Sequence, residues 1–166
     1  MKYAIVYSSR TGNTKLLAET AKSLLPAENC VYFGVPDPAA LKAHRIYAGF
    51  WTDKGSCDQQ TAEFLKSLNT QEVFLFGTAG FGEIPEYFSK ILERSAENLP
   101  ESVKLCGSFM CQGRMPMSVR ERYVKMKEGP AAPSNIDSMI KNFDSALIHP
   151  DENDLENFRK VIQETI

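Results

Sequence analysis

Short apolar runs alternate with segments of helical pattern along most of the chain. Five runs have the composition of buried strands and are bounded by turn residues. They cover residues 3–7, 30–33, 46–50, 73–76 and 105–111. Between the runs, apolar residues recur three and four positions apart, which predicts amphipathic helices, the first ending at Pro26 and the second capped by Asp58. A last helix is predicted around residues 155–166, with Asn153 or Asp154 as its N-cap.

This alternation predicts an α/β fold. A strand, a helix and a second parallel strand form a right-handed crossover, so repeated units build a parallel sheet between two layers of helices. We therefore predict a three-layer, doubly wound, five-stranded parallel sheet in the order 2-1-3-4-5. Sheets of this type bind ligands beyond the carboxyl ends of their strands, where the winding reverses. That rule places the loops 8–14, 51–56 and 78–83 together at one edge of the sheet.

The first strand leads into a polar turn with the character of an anion site. Residues 8–14 read Ser-Ser-Arg-Thr-Gly-Asn-Thr, and a helix starts directly after them. The backbone N–H groups of such a turn and of a helix start lack partners of their own, and the helix dipole favours a bound anion. Hydroxyl groups add donors, and Gly12 permits a close approach of the backbone to a ligand. The motifs G-x-G-x-x-G and G-x-x-x-x-G-K-[ST] do not follow this strand. An ordinary helix cap is the structural alternative.

Composition and charge restrict the possible functions. A length of 166 residues suits a single domain over residues 1–166, and a net charge of −2 argues against nucleic acid as the main partner. No apolar run is long enough to span a bilayer and no signal-peptide layout is present, so we expect no membrane partner. The four cysteines form no C-x-x-C pair and are expected to be reduced, as in a cytoplasmic protein. With two histidines and no clustered ligands, no metal site is expected.

The turn from Ser9 to Thr14 reads S-x-T-G-N-T, which resembles the phosphate loop of the flavodoxin family. In that family the loop holds the ribityl phosphate of FMN. Residues 49–51 and 76–82 resemble the family's two flavin loops, and the resemblance covers residues 2–111 and the last helix. It implies FMN as the cofactor and no catalytic acid, base or nucleophile. The implied cofactor-binding residues are Ser9, Arg10, Thr11, Gly12, Asn13, Thr14, Phe50, Trp51, Thr52, Thr78, Ala79, Gly80, Phe81 and Gly82.

Two aromatic residues in the flavin loops are expected to flank the flat flavin ring. Trp51 and Phe81 lie on loops at the same edge of the sheet, and aromatic stacking contributes about 0.5–1.5 kcal/mol per pair. Either residue could instead pack in the core or in its own loop. Arg10 either adds positive charge to the phosphate site or points to solvent.

Residues 112–150, which we call the insertion, are too long for a simple connection between the fifth strand and the last helix. Ser118 to Glu121 has the residue types of a capping box, and a second short helix is predicted over residues 135–143. The first of these helices is basic, through Arg114, Arg120, Arg122, Lys125 and Lys127. The insertion is either a solvated cover of the sheet edge or an element that docks a partner or substrate, in which case its basic residues steer an acidic redox partner.

The function that these observations favour is an FMN-binding electron-transfer protein that passes electrons from a reductase to an acceptor enzyme. The insertion also resembles that of small flavodoxin-like chains that accompany bilirubin-type reductases, which makes such a reductase a candidate acceptor. The alternative is a flavodoxin-like oxidoreductase that acts directly on a quinone or a tetrapyrrole. A cofactor-free interaction module is the third interpretation. We expect a monomer.

Overall fold

Parallel strands form the sheet at the centre of the fold. The computed structural model describes residues 1–82 and 84–166. Its strands are β1 (Tyr3–Tyr7), β2 (Cys30–Gly34), β3 (Arg45–Asp53), β4 (Ser56–Cys57), β5 (Glu72–Ala79) and β6 (Lys104–Gln112). Within the described residues, five strands follow the order β2-β1-β3-β5-β6 with parallel pairing, and the two-residue β4 pairs antiparallel with the end of β3. Counted over the parallel strands alone, the predicted order 2-1-3-4-5 is confirmed.

Helices cover both faces of this sheet. They are α1 (Asn13–Leu24), α2 (Gln59–Lys66), α3 (Pro85–Ala96), α4 (Met117–Glu128), α5 (Ile136–Ala146) and α6 (Glu152–Gln163), with 3-10 turns at Ala27–Asn29 and Pro38–Lys42. Asp58 caps α2 as predicted, because its carboxylate accepts a hydrogen bond from the Thr61 N–H at 3.2 Å. In residues 1–82 and 84–166, none of the helices combines the length and apolar character that crossing a bilayer requires.

Neighbouring residues of each strand face opposite layers of helices, which divides the core in two. Ile5 and Phe76 belong to the core beneath α1 and α6, whereas Val6 and Leu75 belong to the core beneath α2 and α3. These four side chains are at most 1 % exposed. The strands are continuously apolar because both of their faces are buried.

The N-terminus of α6 differs from the prediction. Asp151 is the N-cap, because its carboxylate accepts a hydrogen bond from the Asp154 N–H and the Asp154 carboxylate accepts one from the Asp151 N–H, each at 2.8 Å. This capping box excludes Asn153 and Asp154 as the cap. His149 lies beside the two carboxylates, and the three side chains hold their potential ligand atoms within 4.8 Å of one another. Both carboxylates already accept hydrogen bonds in the capping box, which explains why they lie at this helix start.

The insertion folds as a pair of packed helices, α4 and α5. The structure confirms the second predicted helix, and Gly129 directly follows α4. The start of α4 was predicted incorrectly. It begins at Met117 with Pro116 in the N-cap position and has no side-chain cap, so the capping box from Ser118 to Glu121 is wrong.

Ion pairs within the insertion neutralise part of its positive charge. The Arg120 guanidinium donates to both carboxylate oxygens of Asp144, at 2.8 and 3.1 Å, and this contact lowers the pKa of the Asp144 carboxyl. Lys127 Nζ lies 2.7 Å from Asp137. Both ion pairs are largely exposed and add little to the packing of α4 on α5, but they make Arg120 and Lys127 less available to an external partner than the sequence suggests.

Candidate functional site

The turn between β1 and α1, residues 8–14, presents a group of unpaired backbone donors; we call it the anion turn. Within the described residues, no hydrogen-bond acceptor serves the backbone N–H groups of Ser9, Arg10, Thr11, Asn13 and Thr14. Gly12 has φ +89°, a left-handed conformation that favours glycine, and α1 follows directly. The Ser9 hydroxyl accepts hydrogen bonds from the N–H groups of Gly12 and Lys15, at 3.1 and 3.3 Å, and so fixes the turn to the helix start. Free N–H groups at the positive end of a helix are the chemistry of an anion site.

The Thr14 side chain has a structural role in this turn. It is 1 % exposed, its hydroxyl donates to the carbonyl of Phe50 at 3.0 Å, and its oxygen lies 3.3 Å from the hydroxyl of Thr78. Because its only hydroxyl proton goes to Phe50, Thr14 has its backbone N–H left to offer an anion. The side chain ties α1 to β3 and β5.

Thr11 and Asn13 attach the anion turn to the start of the insertion. The Thr11 hydroxyl and the Asn13 side-chain amide both donate to the carbonyl of Arg114, at 3.2 and 2.8 Å. A Cβ at Gly113 would lie 2.4 Å from the Asn13 amide nitrogen, so this close approach requires glycine. Two parts of the fold, β3 and the insertion, therefore hold the anion turn in place.

The first predicted flavin loop is the end of a strand and a tight hairpin. β3 runs through Trp51 to Asp53, and the chain returns into β4 after Lys54 and Gly55, which have φ values of 51° and 80°. Positive φ at both central residues is the signature of a type I′ hairpin turn. The prediction of a loop over all of residues 51–56 is wrong, because β3 pairs with β5 as far as Trp51 and then with β4.

Trp51 is half-buried and carries a cation on its ring. The Arg10 guanidinium lies 5.5 Å from the centre of the Trp51 ring, which is the distance of a cation–π contact. Arg10 is exposed, and this contact places its guanidinium beside the hairpin at the solvent-facing edge of the anion turn. The Thr52 hydroxyl donates to the carbonyl of Thr78 at 2.8 Å and ties the hairpin to β5.

The second predicted flavin loop is shorter than the sequence suggests. β5 extends to Ala79, so Thr78 and Ala79 belong to a strand and the loop begins at Gly80. Phe81 is 39 % exposed, a large aromatic side chain without full cover in the fold. Glu83, the last residue of the predicted loop, lies outside the described residues.

Two side-chain amides fix the Gly80 carbonyl, an arrangement we call the Gly80 clamp. Gln112, at the end of β6, and Asn142, on α5, donate to that oxygen at 2.9 and 3.0 Å. The Gln112 amide also lies 3.1 Å from the Asn142 side-chain oxygen. The insertion therefore positions the peptide that precedes Phe81.

The anion turn, the hairpin and the loop after β5 surround one cavity of about 380 Å³. Small-molecule sites span about 300–1,000 Å³. The predicted site residues in its wall are Arg10, Thr11, Asn13, Thr14, Trp51, Thr52, Thr78, Ala79, Gly80 and Phe81. The cavity lies where the carboxyl ends of β1, β3 and β5 meet, the edge that the topology favours for a ligand.

Ser9, Gly12, Phe50 and Gly82 are outside the cavity wall. Ser9 and Gly12 determine the conformation of the anion turn through the hydrogen bonds of the Ser9 hydroxyl and the positive φ of Gly12. The Phe50 side chain is fully buried, and a Cβ at Gly77 would lie 2.4 Å from its ring, so Phe50 is a core residue and contributes its carbonyl to Thr14. The assignment of the Phe50 ring to the site is not supported by this placement.

The insertion contributes a wall whose residues were not among the predicted cofactor-binding residues. Val119, Arg122 and Tyr123 of α4 line the cavity, as do Met115 and Tyr87. Positions three and four apart share one face of a helix, so the α4 residues form a continuous surface. The sequence feature that points to this wall is the segment after β6, because it leaves the carboxyl end of a strand beside the predicted site. The remaining wall residues are Asp53, Lys54, Gly55, Gly113, Arg114 and Pro116.

The cavity is electropositive. Its described wall contains four cations and one carboxylate, namely Arg10, Lys54, Arg114, Arg122 and Asp53. Within residues 1–82 and 84–166, none of these four cations forms an ion pair. This local excess contrasts with the net charge of −2 for the whole chain. Burial raises the pKa of the Tyr87 phenol, which therefore remains a neutral donor in the wall.

Known proteins resemble this chain over nearly its full length. The family model of the flavodoxin domain matches residues 4–163. The flavodoxin-like domain-containing protein BilS from Clostridium symbiosum (strain WAL-14163) is 45 % identical over an alignment 176 residues long, which covers 96 % of this chain and 93 % of that protein.

Solved flavodoxin structures share the fold. Oxidised flavodoxin 2 from Bacillus cereus has a TM-score of 0.58 at 18 % identity, with 100 % of both chains covered. A flavoprotein from Lactobacillus acidophilus NCFM, solved in complex with FMN, has a TM-score of 0.51 at 15 % identity, covering 66 % of this chain and 92 % of its own. Identities this low establish the fold alone, whereas the family model covers most of the sequence. The chain belongs to the flavodoxin family.

Proposed function

We propose that this protein is an FMN-binding electron carrier, which takes electrons from a reductase and passes them to an acceptor enzyme. One observation carries the proposal. Four of the five anion-turn residues with unpaired backbone N–H groups line the same cavity as Trp51 and Phe81, namely Arg10, Thr11, Asn13 and Thr14. A single cavity thus offers donors for an anionic group and aromatic side chains for a flat ring. FMN combines a phosphate with such a ring.

The residues of the cavity fit this cofactor. The N–H groups of Thr11, Asn13 and Thr14 would hold the phosphate, and Trp51 and Phe81 would cover the ring. When bound, FMN supplies the reversible uptake and release of electrons. The chain itself binds the cofactor, orients it and keeps water from part of it.

Binding of FMN and riboflavin by the purified ligand-free protein tests the proposal. Riboflavin has the same ring and lacks the phosphate. We expect FMN to bind at least about tenfold more tightly, because hydrogen bonds to a charged group contribute about 1.5–3 kcal/mol each. Equal affinities would remove the role of the anion turn, and no affinity for either compound would favour a cofactor-free module.

A second cavity favours an alternative function, that of a direct oxidoreductase. It measures about 410 Å³ and shares Phe81 and Tyr87 with the first cavity, with Ile84 and Met139 among its other wall residues. A quinone or a tetrapyrrole bound there would lie beside the flavin. FMN-loaded protein mixed with NAD(P)H and a quinone distinguishes the two functions. A carrier gives no turnover until a separate reductase is added, whereas turnover by the protein alone would establish the alternative.

We also propose that acidic redox partners dock on the insertion beside the cavity. Arg114, Arg122 and Lys125 form no ion pair within the described ranges, in contrast to Arg120 and Lys127. Unpaired cations accelerate the encounter with an acidic protein, most strongly at low salt. The double variant Arg122→Gln/Lys125→Gln should slow reduction of the FMN-loaded protein by an acidic flavoprotein reductase at low salt, while Arg120→Gln should not. Equal reduction rates for the unmodified protein, the double variant and Arg120→Gln would contradict this docking site.

The insertion resembles that of small flavodoxin-like chains that accompany bilirubin-type reductases, and this resemblance supports such a reductase as the acceptor. Reduced, FMN-loaded protein should be reoxidised rapidly by such a reductase in the presence of its substrate and slowly without the reductase. Equal reoxidation in both cases would remove this partner. All four cysteines are free thiols, which supports a cytoplasmic location, and we propose that the carrier works as a monomer.

A further inference from the structure

We propose that the cations around the cavity make it bind fully reduced FMN more tightly than oxidised FMN, so that the bound flavin has a higher two-electron midpoint potential than free FMN. This inference rests on the proposed binding of FMN. It goes further, because binding by itself fixes neither the sign nor the size of a change in potential.

The relevant charges come from four separate parts of the fold. Arg10 belongs to the anion turn, Lys54 to the hairpin, Arg114 to the segment after β6, and Arg122 to α4. Only Asp53 opposes them among the described wall residues. Because they lie on separate segments around one cavity, the cations surround a bound ligand instead of marking one exposed helix face.

Their positions are constrained by contacts of the surrounding chain. The Arg10 guanidinium lies over the Trp51 ring at 5.5 Å from its centre. The backbone of Arg114 is held by the hydrogen bonds from Thr11 and Asn13 to its carbonyl. Arg122 shares a helix with Tyr123, which packs in the core between α4 and α5. All four cations are exposed, so their charge lies at the solvent-facing rim of the cavity, where salt screens it.

Reduction changes the charge that this field acts on. At mildly alkaline pH the oxidised flavin ring takes up two electrons and one proton, so the reduced ring carries one negative charge more than the oxidised ring. The phosphate keeps its charge in both forms. Nearby cations attract the added charge and lower the free energy of the reduced complex relative to the oxidised complex.

The ratio of the two dissociation constants fixes the difference in potential between bound and free flavin. A tenfold tighter binding of the reduced form raises the potential of a two-electron couple by about 30 mV. A unit charge about 10 Å from the added electron density, in an effective dielectric between that of a protein surface and that of water, changes the ratio by about threefold to tenfold at low salt. Each cation removed should lower the ratio by that factor.

The experiment measures both dissociation constants anaerobically at low salt and mildly alkaline pH, with FMN held oxidised or reduced at an electrode. Mediated potentiometry of the loaded protein gives the same ratio independently. The cavity variants are Arg10→Gln, Arg114→Gln and Arg122→Gln, and the matched control is Arg120→Gln. Arg120 lies on the same helix as Arg122, is paired with Asp144 and does not line the cavity. Circular dichroism verifies the fold of each variant.

We expect a potential above that of free FMN for the unmodified protein, and a decrease of about 15 to 30 mV for each cavity variant, equivalent to a threefold to tenfold smaller ratio. The control should leave the potential unchanged. Added salt should bring the potential of the unmodified protein towards that of free FMN, and this test needs no variant.

The possible failures are distinguishable. If oxidised FMN does not bind, both the proposed function and this inference fall. If FMN binds and its potential is at or below that of free FMN, or is insensitive to salt, the inference alone is overturned. Equal shifts in Arg120→Gln and in the cavity variants would overturn it as well.

Discussion

Replacing Thr14 by valine tests how the anion turn divides its work between structure and ligand. Valine keeps the shape of the side chain and removes the hydroxyl, which is buried, donates to the Phe50 carbonyl and contacts the Thr78 hydroxyl. The variant leaves two buried polar groups with one partner fewer, and such a loss costs about 1–3 kcal/mol. We expect the free energy of unfolding of the ligand-free protein to fall by about 2 kcal/mol. For a domain of this size the midpoint of thermal unfolding should then fall by about 4–8 °C.

Thr11→Val is the matched control, because it makes the same chemical change in the same turn. The Thr11 hydroxyl lies at the surface, where its hydrogen bond to the Arg114 carbonyl competes with water. We expect its removal to change the free energy of unfolding by less than about 0.5 kcal/mol, as for most surface substitutions. Its hydroxyl can be redirected to a bound phosphate, so FMN affinity should fall.

Urea and thermal unfolding of both ligand-free variants, followed by FMN titration, separate the two roles. We expect a large loss of stability in Thr14→Val and a small one in Thr11→Val. A Thr14→Val protein as stable as the unmodified chain would refute the structural role of the Thr14 hydroxyl. The serine variant Thr14→Ser keeps the hydroxyl and should retain more of the stability than valine does.

Three further predictions concern the rest of the fold. Trp51, the only tryptophan, should lose most of its fluorescence on addition of FMN, and bright, unaltered emission would place it away from the ring. Asn142→Ala removes one of the two donors to the Gly80 carbonyl, worth about 1 kcal/mol, so FMN affinity should fall about fivefold in a fluorescence titration. The hydrogen bond from Arg45 lowers the pKa of Glu72, so this carboxylate stabilises the fold above its ordinary pKa of 4.5, and the contribution is lost as the pH falls below that value. Urea unfolding below about pH 4.5 should therefore show a shallower loss of stability for Glu72→Gln than for the unmodified protein.

The sheet was predictable because its information is local and periodic. Each central strand is buried on both faces and is therefore apolar throughout, and helices with one apolar stripe separate the strands. The end of β3 was harder, because Thr52 and Asp53 break the apolar run although they still pair with β4. Gly55 was the sequence feature that could have revealed the type I′ turn, because a glycine between polar strand ends indicates a hairpin. The cap of α6 failed for another reason, because Asp151, Asn153 and Asp154 are all good caps and only the packed helix selects one.

The two halves of the candidate site differ in how far sequence reveals them. The anion turn could be located because its donors are backbone groups that belong to one short segment. The wall from α4 could not, because Val119 and Tyr123 have the same helical spacing whether they pack on α5 alone or also on the cavity. The structure shows that they do both. Which neighbour a helix face meets depends on where the insertion docks, and no local pattern encodes that position.

The insertion is part of the cavity and not an appendage beside it. Its first residues accept the hydrogen bonds of the anion turn through the Arg114 carbonyl, and a Cβ at Gly80 would lie 2.5 Å from Met115 Sδ. Its second helix supplies Asn142 to the Gly80 clamp. The same segment carries Arg122 and Lys125 at its surface, so a partner that docks there contacts elements that also hold the turn and the loop of the cavity. The proposed docking surface and the proposed cofactor cavity therefore share one pair of helices, and changes to the buried core between α4 and α5 should affect both.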